Sequence, residues 1–235
     1  MNIESTDLQN STETAIGYIP CYRLPFLSLF HADCMDIMKQ YPDKYFDLAI
    51  VDPPYGIRNM NAGGRGINGW NDWSGKEWDN AIPAPEYFEQ LFRVSKNQII
   101  WGGNYFHLEP TKCWIIWDKG QRDFSLADGE MAWTSFDKAM RIFELSRGTA
   151  NAEDKIHPTQ KPVKLYSWEL SKFATEGMKI LDTHFGSGSI ALAIDKANRL
   201  DKMNLHLTAC EIDKEYIEKA IKRISESIKQ GTLSF

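Results

Sequence analysis

The sequence predicts an α/β protein with a mostly parallel sheet and helices on both faces. Three observations carry this. Short apolar runs rich in β-branched and aromatic residues alternate with stretches of helical spacing, the pattern of βαβ units. A glycine turn joins one of these runs directly to a helix. The 235 residues, 43% hydrophobic and 12% aromatic, are enough to bury one sizeable core. Disorder, a collagen-like chain and a small disulfide scaffold are excluded by the same figures.

The elements follow in order. Residues 1–25 are rich in Ser and Thr without a clear period and read as an irregular N-terminal lead, so a single domain is expected over 26–235. Residues 26–31 and 46–51 read as strands, joined by a helical turn or two at 34–39, where Cys34, Ile37 and Met38 have helical spacing. Residues 98–101 and 114–117 are further buried-strand candidates, and 132–134 with 141–143 suggest a hairpin turning through Phe136-Asp137-Lys138. A second βαβ pattern runs from a strand at 179–182 through a helix at 189–198 to a strand at 205–210. A closing helix over 214–229 carries Tyr216, Ile217, Ala220, Ile221, Ile224 and Ile228 on one face. Residues 56–80 interrupt the alternation with too many Gly and Asn residues for helix or strand, and a loop of that length in a compact domain is usually functional or disordered. No internal repeat or dividing linker stands out.

Charge gives a mixed signal. The chain holds 27 Lys and Arg against 32 Asp and Glu, a net −5, whereas a protein gripping many phosphates usually has a basic surplus. Two stretches run the other way. Residues 155–179 hold five lysines against Glu169 and Glu176, and residues 56–76 hold Arg58, Arg65 and Lys76 against Asp72. On charge alone the default for each is a solvated face. Cys21, Cys34, Cys113 and Cys210 form no C-x-x-C pair and have no His at ligand spacing, so free thiols are expected, with no disulfide and no metal. No window approaches eighteen apolar residues, and the N-terminus lacks the basic-then-apolar build of a signal peptide. A cytoplasmic protein with no membrane partner is the expectation.

Two constellations carry chemistry. Ile180-Leu181-Asp182-Thr183-His184-Phe185-Gly186-Ser187-Gly188-Ser189-Ile190-Ala191 is a strand, a glycine turn and a helix, with Gly186 for the turn, Gly188 for close ligand approach and Ala191 where helix meets strand. Glu211 follows twenty-three residues after Gly188, at the end of the next strand, where its carboxylate suits a ribose diol. No G-K-[ST] follows the glycines, which excludes a nucleotide-hydrolysing P-loop. Asp52-Pro53-Pro54-Tyr55 follows a strand, and its two prolines remove two donors and fix φ. The Pro53 carbonyl and the Asp52 carboxylate then offer two acceptors to an amino group, and Tyr55 a flat face for a base. A rigid strand-ending turn with a packed tyrosine fits those four residues equally well.

Asp52-Pro53-Pro54-Tyr55 resembles motif IV of the S-adenosylmethionine-dependent amino methyltransferases of DNA. Phe185-Gly186-Ser187-Gly188 is similar to their cofactor motif F-x-G-x-G, and His157-Pro158-Thr159-Gln160-Lys161-Pro162 to the H-P-T-x-K-P segment of their β-group. The order, catalytic motif before cofactor motif, is that group's circularly permuted order, and the resemblance runs from about residue 26 to 224. It implies a Rossmann-like methyltransferase fold: a mostly parallel seven-stranded sheet with an antiparallel hairpin strand. It also implies S-adenosylmethionine as cofactor, contacted by Asp33, Thr159, Lys161, Pro162, Asp182, Phe185, Gly186, Ser187, Gly188, Ser189, Glu211 and Ile212. Asp52, Pro53, Pro54 and Tyr55 become the catalytic set, acting on a base flipped out of double-stranded DNA. Such transfer needs positioning and no metal.

Asp52, where cytosine 4-amino methylators more often have Ser, favours the 6-amino group of adenine; the cytosine 4-amino group is the alternative. Carbon-5 methylation of cytosine uses a Pro-Cys nucleophile, and here only Cys21 follows a proline, within the irregular lead. Only twelve residues separate Glu144 from His157, where larger members of the group carry a target-recognition segment. The 56–80 loop is therefore the candidate DNA-contacting insertion, through Arg58, Arg65, Asn68, Trp70 and Lys76, with a short or relaxed target sequence. Members of the group often dimerise, so a homodimer is an open expectation. An NAD-dependent oxidoreductase shares the glycine turn, but only twenty-four residues follow Glu211 and Asp52 to Tyr55 would lack a role. A non-catalytic DNA-binding regulator fits the acidic net charge poorly, and an RNA or protein-glutamine methyltransferase fits Asp52 poorly. Of the tryptophans, Trp101, Trp114, Trp117 and Trp133 are expected in the core, and His184 in the turn.

Overall fold

The computed structural model of this chain describes residues 17–57, 81–122, 127–151, 156 and 160–232. Nine strands lie in them: β1 (Tyr22–Leu24), β2 (Leu27–His31), β3 (Phe46–Val51), β4 (Ser95–Trp101), β5 (Ile115–Asp118), β6 (Gly129–Thr134), β7 (Arg141–Glu144), β8 (Lys179–Asp182) and β9 (His206–Glu211). The helices are α1 (Cys34–Lys39), α2 (Pro85–Val94), α3 (Arg147–Asn151), α4 (Val163–Phe173), α5 (Ser189–Leu200) and α6 (Lys214–Thr232), with a 3-10 turn at Gly103–Tyr105. None of these helices is long and apolar enough to cross a membrane.

All nine strands join one sheet in the order β1-β2-β9-β8-β3-β4-β6-β5-β7. The run from β2 to β4 is parallel throughout. Its strands read as near-continuous apolar runs because both faces are covered. Leu48, Ile50, Ile99, Trp101, Ile180, Leu207 and Ala209 pack on one face, against α4, α5 and α6. Their neighbours Ala49, Val51, Ile100, Leu181 and Cys210 pack on the other, against α1 and α2. Two cores, one sheet thickness apart, follow from this two-residue period.

The structure adjusts several expectations. The strands number nine among the described residues, not seven, and β1 is the one that lies outside the stretches read as strands. β1 lies inside the expected irregular lead, where Tyr22 and Leu24 pair antiparallel with Leu29 and Leu27. The hairpin does not join β6 to β7. β5 inserts between them, antiparallel to β6 and parallel to β7, so the true hairpin is β5–β6. The physical reason is burial: β6 presents Ala132 and Trp133 to both cores and takes the inner position, while β7, mostly exposed, stays at the edge. The sequence reading assigns neither α2 nor α4. α2 starts on Pro85, as favoured for a first turn, and buries Tyr87, Leu91 and Val94. α4 starts after Pro162 and buries Leu165, Tyr166, Leu170 and Phe173.

Candidate active site

The carboxyl ends of β2, β9, β8, β3 and β4 share one edge of the sheet. From β3 the chain proceeds to β4 on one side, and from β8 to β9 on the other, so a crevice opens at this switch of direction, the usual ligand position in such sheets. A cavity of about 280 Å³ lies there, walled by residues at or just after the ends of β2, β3, β8 and β9 and by Gln160, Lys161 and Tyr166.

One half of the cavity is the glycine turn. Gly186 (φ 50°) and Gly188 (φ 72°) hold left-handed backbone that a side chain would strain. A Cβ on Gly188 would also come within 3.1 Å of both Phe185 and Ile224. Glu211 anchors the turn from β9: its carboxylate accepts the backbone N–H groups of Gly186, Ile212 and Asp213, each at 2.9 Å. Burial pushes its carboxyl above the ordinary glutamate value, and those three donors oppose that. Arg223 of α6 braces the far side, donating to the Ser187 carbonyl and to Ser189 Oγ at 3.1 and 2.9 Å. Asp33 caps α1 by accepting the Met35 N–H at 2.7 Å. Asp182 accepts the His184 backbone N–H, and burial pushes its carboxyl up to about 8. Burial lowers His184 to about 4, so its ring is neutral at ordinary pH.

The other half is acidic and centred on Asp52. Tyr55 donates its hydroxyl to Asp52 Oδ1 at 2.5 Å, and Lys161 donates to Oδ2 at 2.7 Å. A carboxylate has about four lone-pair sites, and two of them are taken by donors among the described residues. The Lys161 ammonium also lies 3.0 Å from Glu130 Oε2, 3.1 Å from the Tyr55 hydroxyl and 5.2 Å from the Trp101 ring centre. Glu130 in turn receives Lys119 at 2.6 Å. Burial would lower the Lys161 ammonium, but Asp52 and Glu130 hold it above the ordinary lysine value. Burial would raise Glu130, but Lys161 and Lys119 draw it down to about 2. For Asp52 burial prevails and the carboxyl rises, with Glu130 adding to the rise and Lys161 opposing it. The Tyr55 ring stacks on Tyr105, centres 5.1 Å apart and planes within 16°. It lies so close to Gly102 that a Cβ there would sit 2.1 Å from its Cε1.

Asp33, Asp52, Pro54, Lys161, Phe185, Gly186, Ser187, Glu211 and Ile212 come together on the cavity wall. Pro53, Tyr55, Pro162, Asp182, Gly188 and Ser189 are not among the wall residues; each is next to one in the chain except Ser189, which is two positions from Ser187. Thr159, with His157 and Pro158, lies outside the described residues, as do Arg58, Arg65, Asn68, Trp70 and Lys76. Trp101, Trp117 and Trp133 are buried as expected, and Trp114 packs partly buried on the core. Trp101 also has a polar role, donating to Glu169 at 3.0 Å. His184 lines the cavity as well as forming the turn. Cys34 is there too, but burial pushes its thiol up to about 12, unsuited to nucleophilic attack.

Sequence reasoning does not single out Glu130, Tyr105, Tyr166, Glu169 or Arg223. Glu130 sits in a strand whose neighbours the apolar pattern does not fix, and Glu169 in a helix that the pattern does not announce. Arg223 has a readable signal, being a basic residue next to the apolar face of the closing helix.

Residues 109–222 match the family model described as DNA methylase, of the N6/N4 class. The type II methyltransferase M.ScaI of Streptomyces caespitosus is 21% identical over 87% of this chain and 83% of its own length. M.HpaI of Haemophilus parainfluenzae is 36% identical, over 32% of this chain and 22% of that protein. Among solved structures, the M1.HpyAVI–SAM complex superposes with a TM-score of 0.55 at 20% identity, covering 84% of this chain and 99% of that one. The cytosine-N4-specific PvuII DNA methyltransferase gives 0.56 at 11% identity, covering 91% and 95%. The fold is thus the mixed α/β fold of these enzymes.

Proposed function

We propose, on the premise of a chain related to the N6/N4 DNA methylases, that this protein transfers a methyl group from S-adenosylmethionine to the 6-amino group of adenine in double-stranded DNA. One observation carries the reading: the Asp52 carboxylate, held by Tyr55 and Lys161, lines the same cavity as the glycine turn and Glu211.

The residues fit the cofactor. Gly186 and the paired Gly188 let a ligand reach the backbone, and Asp33 and Glu211 put carboxylates on the wall for hydroxyl or ammonium groups. Lys161, Phe185, Ser187 and Ile212 complete the contact surface, and Thr159, Pro162, Asp182 and Ser189 belong to the proposed set around it. When bound, the cofactor supplies a methyl already activated by its sulfonium. The protein's task is then alignment and charge. Asp52 and the Pro53 carbonyl accept the two N–H bonds of the base's amino group, which turns its lone pair toward the cofactor, and Asp52 offsets the positive charge that develops on nitrogen. The Tyr55–Tyr105 stack lends an aromatic surface beside Asp52 for the flipped base.

Asp rather than Ser at position 52 favours adenine; the likeness to a cytosine-N4-specific enzyme supports the 4-amino group of cytosine as the second reading. Arg58, Arg65, Asn68, Trp70 and Lys76 are the proposed DNA contacts. The test is transfer of labelled methyl to DNA from a methylation-free host, followed by nucleoside analysis. Adenine methylated on its 6-amino group is the expected product, 4-methylcytosine overturns the choice of base, and absence of label with cofactor bound overturns DNA as the substrate.

A further inference from the structure

Asp52 must retain negative charge to receive an amine that turns positive, yet a buried ammonium sits 2.7 Å from it. Paired with Lys161 alone, the carboxylate would be neutralised where its charge is needed. The structure holds a second carboxylate at this point. Glu130 Oε2 lies 3.0 Å from the same ammonium, so Lys161 is shared between two acids, and Lys119 balances the outer one at 2.6 Å. Lys161 has 2% of its side chain exposed, so its contacts with the two acids are little screened, whereas Glu130 on the outer side is 26% exposed.

We propose that Glu130 is a positioning residue for methyl transfer: by sharing the Lys161 ammonium, it leaves the Asp52 carboxylate with net charge for the substrate amine. This rests on the reading of Asp52 as acceptor of the target amino group. Glu130 is not among the residues of the cavity wall; it acts through Lys161. Lys161 correspondingly serves Asp52 first and the cofactor second. The remaining titratable groups around Asp52 are Tyr55, which donates to it, and Tyr166, Glu169 and Asp182, which press on the same buried region.

The test uses the full chain, labelled S-adenosylmethionine and DNA from a methylation-free host. If the wild-type chain transfers no label, the underlying reading fails, whatever Glu130 does. Given wild-type transfer, Glu130→Gln should slow the methyl-transfer step about tenfold, less than the ~10²–10³ typical of a group contacting the reacting atoms. KM for cofactor and DNA should stay unchanged. Glu130 now raises the Asp52 carboxyl, so the acid limb of the pH–rate profile should move to lower pH in the variant. Glu130→Asp, which keeps a carboxylate for the Lys161 ammonium, should be faster than Glu130→Gln. A wild-type rate in Glu130→Gln overturns the proposal. So does a slowed variant whose acid limb stays in place, and so does a folded Glu130→Asp no faster than Glu130→Gln.

Discussion

Glu211 Oε2 accepts the backbone N–H of Gly186 at 2.9 Å, so the acid at the end of β9 fixes the glycine turn at the end of β8. The same carboxylate takes two further N–H groups from the start of the loop before α6. One side chain thus sets the geometry of two loops that meet at the cavity.

Replacing Glu211 by Gln should therefore weaken cofactor binding through both lost charge and a loosened turn. Hydrogen bonds to charged groups contribute about 1.5–3 kcal/mol each, and about 1.4 kcal/mol is tenfold in affinity. A rise in Kd of at least about tenfold is expected by calorimetry, and an unchanged Kd would remove Glu211 from the site.

Asp52→Asn keeps shape and one acceptor but removes the charge. The transfer rate should fall by about 10²–10³ while cofactor affinity changes little, since the loss falls on developing charge. Single-turnover incorporation of label separates the two.

Gly102→Ala tests the seat of Tyr55. The added carbon would meet the Tyr55 ring at 2.1 Å and force a left-handed φ of 70° on alanine. The ring must shift and disturb its hydrogen bond to Asp52, so activity should fall together with a stability loss of about 1–2 kcal/mol from the backbone alone. Chemical denaturation and the methyl-transfer assay read the two effects.

Glu169 gives a pH signature. It is fully buried, accepts the Trp101 indole at Oε1, leaves Oε2 without a hydrogen bond among the described residues, and burial pushes it up to about 8. A carboxyl raised in the folded state favours folding at low pH, and that contribution is lost as pH climbs from the unfolded value near 4.3 through about 8. Glu169→Gln is neutral and keeps an acceptor for Trp101. Its melting temperature should exceed that of the wild type at pH 8 and converge with it near pH 4, a difference readable by calorimetry.

Arg65→Ala with Lys76→Ala tests the proposed DNA contacts. Removing two cations that meet phosphates should lower the slope of log affinity against log salt by about 2 and weaken binding evenly across sequences. An unchanged slope would assign DNA reading to another surface.

What the sequence shows plainly is what repeats locally. The β8–turn–α5 stretch is readable because its glycines and apolar residues are adjacent, and β3 because its apolar run ends on two prolines. The β5–β6–β7 arrangement is not, because three short strands pair in several orders and only burial of Ala132 and Trp133 chooses among them. Lys161 and Asp52 each stand out in their own motif, yet their contact spans 109 positions and no local pattern announces it. Glu130 and Glu169 are illegible for a related reason. An acid in a half-polar strand or helix looks solvent-facing until the partner that buries it is known.

The two halves of the cavity meet along a narrow seam. β3 and β8 pair through Leu48 with Ile180 and Ala49 with Leu181, extended by Asp47, which accepts the Lys179 N–H from 132 residues away. Each half draws on distant stretches, Asp33 with Glu211 in one and Asp52 with Lys161 in the other, and neither closes a pocket until this pairing zips as well. Closing so long a loop is costly and slow relative to local structure. A ligand gripping both walls would act as a clasp across the seam, so its binding energy would be felt as cohesion of the whole sheet, and its loss as a tendency of the chain to open along that one line.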